Sequence, residues 1–434
     1  MRSARLWILF AVSVSLGSVF ARAQAKYNIV YTFGTNGGPN DGWSPNGGPA
    51  FDGLGNLYGT TYFGGGNTSS LCPDGCGTVF EVSPVAGGGW TESLLHSFAD
   101  SQDGLHPSGS LVFDAQGNLY GTTAGTGSDS CQAPDCGTVF ELSPALDGTW
   151  MESILYSFAG PPDGVDPTAP VIFDAEGNLY GTTYRGGTNG FGTVFELSPP
   201  SLPGGSWTES ILYDFCQVGG PQKCSDGAYP NAGVVLDGLG NLYGTTTNGA
   251  VQKVWGLVYE LSPHPGGAWT QSVLHEFDAS NGGIPEAGLS FDTAGNLYGT
   301  VYSGGLSGPT CNKEMYPPYS IACGGAFRLT PNRGGGWTER KFLFSGQNGG
   351  NPLVGLVVDG SSVYGTTSKG GKGYGTVYRI TGGGSETVLY KFCSRSNCTD
   401  GDTPDGITLN SGQIYGVTQH AGAYNQGVVF SIAP

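Results

Sequence analysis

Apolar and polar residues alternate over short runs along this chain, and the runs recur in a fixed order. The clearest copy spans residues 111–123, Leu-Val-Phe-Asp-Ala-Gln-Gly-Asn-Leu-Tyr-Gly-Thr-Thr. Period-two alternation at Leu111 and Phe113, a break at Asp114-Ala115-Gln116-Gly117 and a second run at Leu119-Tyr120 predict a β-hairpin. The Asp side chain can accept a backbone N–H two residues on, and the Gly tolerates the positive φ that such a turn requires. Small residues around one large ring in the second run suit a strand with neighbours on both faces.

The pattern recurs from Asp52, Asp174, Asp237 and Asp292, with worn copies from Asp359 and Asn410. Its tyrosines fall at 58, 120, 180, 243, 298, 364 and 415, in steps of 51 to 66 residues. A period of that length marks a repeat architecture. A third strand follows each hairpin, at 77–84, 137–144, 192–199, 256–263, 324–331, 375–380 and 427–432, and Pro ends most of them. A fourth follows at 90–98, 150–158, 207–215, 269–277 and 337–344, headed by Trp, and at 386–392 without it. No fourth strand follows the seventh copy. Residues 27–33, Tyr-Asn-Ile-Val-Tyr-Thr-Phe, carry that pattern at the other end of the chain.

Seven copies of strands one to three, six of strand four and one stray fourth strand make seven four-stranded antiparallel units. The expected fold is all-β: a seven-bladed β-propeller over residues 26–434, its ring closed by the N-terminal strand. Closure removes the exposed sheet edges that a linear stack would leave. A linear β-solenoid, the rival, has no use for a lone fourth strand and needs distinct capping repeats. In a meander blade, the loops from strand two to three and from strand four to the next blade emerge on one face. All ten cysteines fall in those loops, which makes that face the expected functional one.

Composition sharpens this picture. Gly (79 of 434) and Pro (27) are abundant enough to raise disorder, but the glycines sit at fixed turn positions between strand-like runs. Arg2 and Arg5 precede an apolar stretch at 6–20 and then Ala-Arg-Ala and Ala-Gln-Ala, so residues 1–25 read as a secretory signal peptide. That stretch is too short for a confident membrane span, and none is expected after its removal. The formal charge of −17 lacks the basic footprint that nucleic acid or an anionic membrane needs. Exported cysteines point to disulfides, and five local pairs are the economical pairing: Cys72 with Cys76, Cys131 with Cys136, Cys216 with Cys224, Cys311 with Cys323, and Cys393 with Cys398. Each closes so short a loop that it contributes roughly 2–3 kcal/mol at most.

Each loop into a blade carries Asp or Asn, then Gly, two residues and Pro. The acidic members are Asp41, Asp103, Asp163, Asp226 and Asp400, and the amides Asn281 and Asn348. Encircling a channel mouth, the carboxylates are candidate ligand contacts and could take a divalent cation such as Ca²⁺ by oxygen coordination. The same residues also fit as caps of their own turns, a role Asp and Asn fill equally and one that must recur in every blade. Trp43, a lone aromatic in such a loop, is a further candidate contact. Glu81, Glu141, Glu196 and Glu260 share one register of the third strand, too regular to select a catalytic pair. The five histidines show no metal-ligand spacing, no Cys-x-x-Cys occurs, and no nucleophile elbow or phosphate loop is present, so neither a cofactor nor catalytic residues are assigned.

Gly-Asn-Leu-Tyr-Gly-Thr-Thr followed by Gly-Thr-Val-Phe-Glu-Leu-Ser-Pro resembles the GloVer (Gloeobacter/Verrucomicrobia-type) tandem repeat of exported bacterial proteins. The resemblance covers nearly the whole mature chain. It implies an extracytoplasmic repeat domain with no established activity and no catalytic residues to carry over. Family members often end in a cell-surface sorting segment where this sequence ends at Pro434, which favours a free secreted or periplasmic protein. The expectation is therefore a monomeric binding or interaction module, with a carbohydrate or a cell-surface protein as partner. The alternative is a glycoside hydrolase or polysaccharide lyase using acids near the channel mouth.

Overall fold

The computed structural model describes residues 25–35, 38–99, 102–125, 131, 136–202, 204–220, 223–249, 255–278, 282–311 and 322–434. Residues 1–24 of the signal-peptide reading (1–25) and Asn281 lie outside them. Seven four-stranded antiparallel sheets form the blades of a propeller. Blade 1 is Trp43–Phe51, Leu57–Phe63, Thr78–Pro84 and Trp90–Ser97, and blades 2 to 6 repeat this order along the chain. Blade 7 takes Asp402–Asn410, Gln413–His420 and Val428–Ala433 from the C-terminal end and Lys26–Thr32 from the N-terminal end. Lys26–Thr32 runs antiparallel to Val428–Ala433, with Tyr27 opposite Ile432 and Tyr31 opposite Val429. Chain head and tail thus share one sheet.

The repeated motif is explained residue by residue. Asp52 Oδ1 accepts the N–H groups of Leu54 and Asn56 (both 2.9 Å), while Oδ2 accepts the Asn56 side-chain amide (2.8 Å) and the Tyr58 hydroxyl (3.2 Å). The same set recurs at Asp114, Asp174, Asp237 and Asp292. Burial works against the Asp237 and Asp292 charges, but these hydrogen bonds outweigh it and hold both carboxyls below their ordinary range. Gly55 closes the first turn at φ 88°, where any other residue would be strained.

The Gly of Gly-Thr-Thr serves a different purpose. In each blade it faces the aromatic ring of the third strand so closely that no Cβ fits, as with Gly181, where one would lie 2.4 Å from Phe195 Cζ. The first Thr reaches out of its own blade: Thr122, Thr182 and Thr245 donate to the backbone carbonyls of Ala169, Ala232 and Ala287 in the next one (3.0–3.1 Å). The second Thr pairs with the Thr that heads the third strand, as Thr123 does with Thr138 at 2.8 Å. One tripeptide therefore joins strand two to its neighbour within the blade and to the blade beyond.

Packing is mainly between blades. The Phe that ends each fourth strand sits edge-on against the third-strand aromatic of the next blade: Phe98 on Phe140, Phe158 on Phe195, Phe215 on Tyr259, Phe277 on Phe327, Phe344 on Tyr378 and Phe392 on Phe430, with centroids 4.9–5.3 Å apart. Phe33 on Phe80 (5.0 Å) makes the seventh pair, across the closure. Six of the seven hairpin tyrosines are buried and Tyr415 is half-buried, and fourth-strand Trp residues pack partly buried against them, as Trp150 does on Tyr58. Second strands, with a neighbour on either side in the sheet, are buried along their central five residues, whereas fourth strands at the rim are half exposed.

The five expected disulfides are all present, and no cysteine among the described residues is free. Both loop types meet on one face: Gly422, between strands two and three of blade 7, donates to the carbonyl of Cys398 in the loop from blade 6. That face also carries the mouth of the ring.

Candidate functional site

The loops into the blades place their Asp residues in the turn. Asp41 accepts the Tyr31 hydroxyl (2.7 Å) and the Gly34 N–H. Asp163 accepts the Tyr156 hydroxyl (3.0 Å) and the Ala159 N–H (2.8 Å). Asp226 accepts Tyr213 and the amides of Gln217 and Val218, and Asp400 accepts Tyr390 and the amides of Ser394 and Arg395. Asp103 accepts the Ala99 N–H (2.9 Å) and has His96 where the others have Tyr. Asn348 repeats the cap, accepting the Ser345 N–H at 2.8 Å. None of the five acids is among the residues that line the central cavity.

Three residues further along each loop the backbone does something the sequence does not announce. The residue before each Pro is Ser44, His106, Asp166, Tyr229, Ile284, Asn351 or Thr403, and all seven have φ between 48° and 59°. A residue before Pro normally lies in the extended region, and a β-branched side chain at positive φ is strained. Hydrogen bonds between blades hold it there. The N–H of His106 donates to the Cys76 carbonyl (2.8 Å), that of Ile284 to Trp255 (2.9 Å) and that of Asn351 to Cys323 (2.7 Å), and the other four do likewise. Three disulfides, at Cys76, Cys136 and Cys323, therefore anchor loops whose carbonyls tie one blade to the next.

The residue after each Pro then points along the axis. Asn46, Ser108, Thr168, Asn231, Glu286, Leu353 and Asp405, one from each blade, line a cavity of about 520 Å³. Below them the first strands are irregular. Register shifts interrupt blades 1, 2 and 7, and blades 3 to 6 keep only two or three residues of regular inner strand. Small residues let these backbones meet: a Cβ on Gly406 would fall within 2 Å of the Gly48 nitrogen. The cavity size is that of a small-molecule site.

The side chains of this ring are mostly neutral and polar, set in a lining that is otherwise largely apolar. Asn46 accepts the Thr60 hydroxyl and the Gly109 N–H and donates to the Pro107 carbonyl, so it is fixed across blades 1 and 2. Glu286 and Asp405 are the two acids. Burial pushes the Glu286 carboxyl up to about 7. Burial also raises Asp405, to about 6, against hydrogen bonds from Gln419 (2.7 Å) and from the backbone of Gly406 and Gly47. Leu353 of blade 6 lies between them in the ring order.

Aromatic side chains edge the mouth. Tyr62 lines the cavity and stacks on His106 (4.4 Å, 9°), and Phe63 packs on Tyr62 (4.7 Å). Trp43 stacks on Phe63 (4.3 Å, 20°), so the candidate contact Trp43 joins this cluster. Tyr184 and Tyr229 form a second pair at 5.2 Å. Burial raises the Tyr184 hydroxyl, against the pull of Arg185, and Glu286 adds to the rise, which places that acid within electrostatic reach of the pair. The signal that sequence reasoning passed over was variation: the position after Pro changes chemistry from blade to blade while the Asp five residues before it recurs.

No curated protein matches this chain. Among solved structures it is similar to a gluconolactonase of Xanthomonas campestris (13% identity, 94% of this chain and 89% of that one, TM-score 0.39). It is also similar to a protein of unknown function from Dyadobacter fermentans (13% identity, 94% and 98% covered, TM-score 0.44). The profile of the Gloeobacter/Verrucomicrobia repeat matches residues 10–222 and 68–311. The chain therefore belongs to the Gloeobacter/Verrucomicrobia repeat family.

Proposed function

We propose that this protein is an exported binding module that takes a carbohydrate, or a carbohydrate-bearing piece of a cell envelope, into the axial cavity from the disulfide-bearing face. One observation carries the reading: six amide, hydroxyl and carboxyl side chains share a single register with Leu353 around the cavity, approached past the stacked aromatics Tyr62, His106, Phe63 and Trp43. Hydroxyl-rich ligands need such donors and acceptors to fix orientation, together with flat apolar faces to stack on. Export is supported by five disulfides, which persist in oxidising compartments, and no helix among the described residues is long and apolar enough to cross a membrane.

Glu286 gives a second reading some support, because an acid raised to about 7 holds its proton at neutral pH and can act as a general acid. The binding reading is preferred because no hydrogen bond couples Glu286 to Asp405 or to a histidine among the described residues. A glycan array followed by calorimetry on the secreted protein tests both. A glycan should bind without being cleaved, and Glu286→Leu, which copies Leu353 of blade 6, should weaken binding by roughly tenfold or more, worth about 1.4 kcal/mol. Release of reducing sugar that Glu286→Leu abolishes would replace the module with an enzyme. No bound glycan, or one held equally by Glu286→Leu, would remove the cavity from the account.

A further inference from the structure

A separate site lies at the rim, between blades 1 and 2. The fourth strand of each blade bears a side chain that reaches back to the loop behind it. The register is set by pairing with the third strand: Glu92 opposite Val82, Glu152 opposite Leu142, Glu209 opposite Leu197, Gln271 opposite Leu261, Glu339 opposite Leu329, Glu386 opposite Ile380 and Tyr27 opposite Ile432. Where the contact is polar and neutral it is a simple hydrogen bond, as from Gln271 to the Asp226 carbonyl (2.8 Å) or from Tyr27 to the Asp400 carbonyl (2.7 Å). Asn348 donates to Glu386 at 2.6 Å.

Blades 1 and 2 depart from this rule. His96 Nε2 lies 3.2 Å from Asp103 Oδ1 and 3.3 Å from Oδ2, and one ligand atom each of His96, Asp103 and Glu152 falls within 4.8 Å of the other two. Two carboxylates and an imidazole thus converge. Asp103 Oδ2 also takes the Ala99 N–H. Glu152 Oε1 is out of contact with solvent and accepts no hydrogen bond, as holds for the equivalent Oε1 atoms of Glu209 and Glu386, so what sets blades 1 and 2 apart is the imidazole. Among the described residues this is the one group of three His, Cys, Asp or Glu side chains whose ligand atoms come this close together.

We propose that His96, Asp103 and Glu152 form a Zn²⁺ site that bolts blade 1 to blade 2. Zn²⁺ takes imidazole nitrogen and carboxylate oxygen at about 2.0–2.2 Å, and in a tetrahedron such ligands stand about 3.4 Å apart. The His96 to Asp103 separation already matches. The His96 and Asp103 side chains are 18% and 23% exposed, which leaves a way in and room for water as a fourth ligand. The ion supplies the positive charge that the facing oxygens of Asp103 and Glu152 lack.

The other blades provide controls within the same molecule. Blades 2 and 3 have the two acids, Asp163 and Glu209, but Tyr156 in place of histidine. Blades 4 and 5 have His275 within 3.5 Å of Glu339, but Lys341 lies 3.7 Å from that same carboxylate and already furnishes a cation. Neither should take the metal.

Calorimetry and thermal melting of the chelator-treated secreted protein with ZnCl₂ decide the matter. One equivalent should bind saturably and raise the melting temperature, because a ligand that binds only the folded state stabilises it. His96→Tyr installs the residue that blades 2, 3, 6 and 7 use and should fold and melt like the metal-free parent. It should lose binding by more than the roughly 10–100-fold that removal of an outer-shell partner costs. Glu152→Gln should weaken binding as well, and Glu209→Gln should leave it unchanged. Failure of the parent to bind zinc saturably, or equal binding by His96→Tyr, overturns the proposal.

Discussion

Removing residues 26–33 should leave a chain that does not fold cooperatively and aggregates on refolding. The segment serves two blade interfaces as well as its own sheet. Tyr27 stacks on Tyr390 (4.0 Å) and donates to the Asp400 carbonyl, on the side of blade 6. Tyr31 donates to Asp41, and Phe33, fully buried, closes on Phe80 of blade 1. Truncating one buried aromatic costs about 3–5 kcal/mol. Losing three exceeds or consumes a typical total stability of about 5–15 kcal/mol. The deletion also uncovers the edge of Val428–Ala433, a ready template for intermolecular pairing. Phe33→Ala isolates the closure contact: it should fold, with stability to denaturant lowered by about 3–5 kcal/mol. A deletion variant with the parent's unfolding midpoint would show that the ring does not depend on its first strand.

The second large effect concerns a single methyl group. Gly181→Ala puts a Cβ 2.4 Å from Phe195 Cζ, and that ring cannot retreat because Phe158 packs on it at 5.1 Å. Overpacking of this kind costs about 1–3 kcal/mol. Gly53→Ala is the matched control, since its Cβ would meet nothing within 4 Å, and it should be close to neutral. Phe195→Leu shortens the opposing side chain, so Gly181→Ala combined with Phe195→Leu should cost less than the sum of the two single changes. That shortfall is the coupling a double-mutant cycle reads. Equal stability of Gly181→Ala and the parent in equilibrium unfolding would refute this account of the motif.

These two predictions also mark what the sequence discloses. The hairpins, the third and fourth strands and the stray first strand were legible because turn Asp, turn Gly and buried aromatics recur for reasons local to each blade. The five cysteine pairs were legible because each closes within one loop. What stayed hidden depends on relations between blades. Nothing local tells that the residues before Pro are held at positive φ, since their partners are carbonyls at least 28 residues away in the preceding blade. Nor does spacing along the chain reveal that Glu152 meets His96 and Asp103, since a fourth strand and the loop behind it belong to different repeats. Asp41 and its counterparts recur because each caps its own turn, whereas the cavity is lined five residues further on, where side chains differ from blade to blade.

Disulfide trapping across the closure tests the whole arrangement most directly. Asn28 and Ser431 are register partners, and facing residues of antiparallel strands lie about 4.5–5.5 Å apart at Cα, within reach of a disulfide. In the variant carrying both Asn28→Cys and Ser431→Cys, a non-reduced digest analysed by mass spectrometry should yield one peptide joining residue 28 to residue 431, with the five native bridges intact. New cysteines left free, or joined to other partners, would contradict the ring and with it the cavity at its centre.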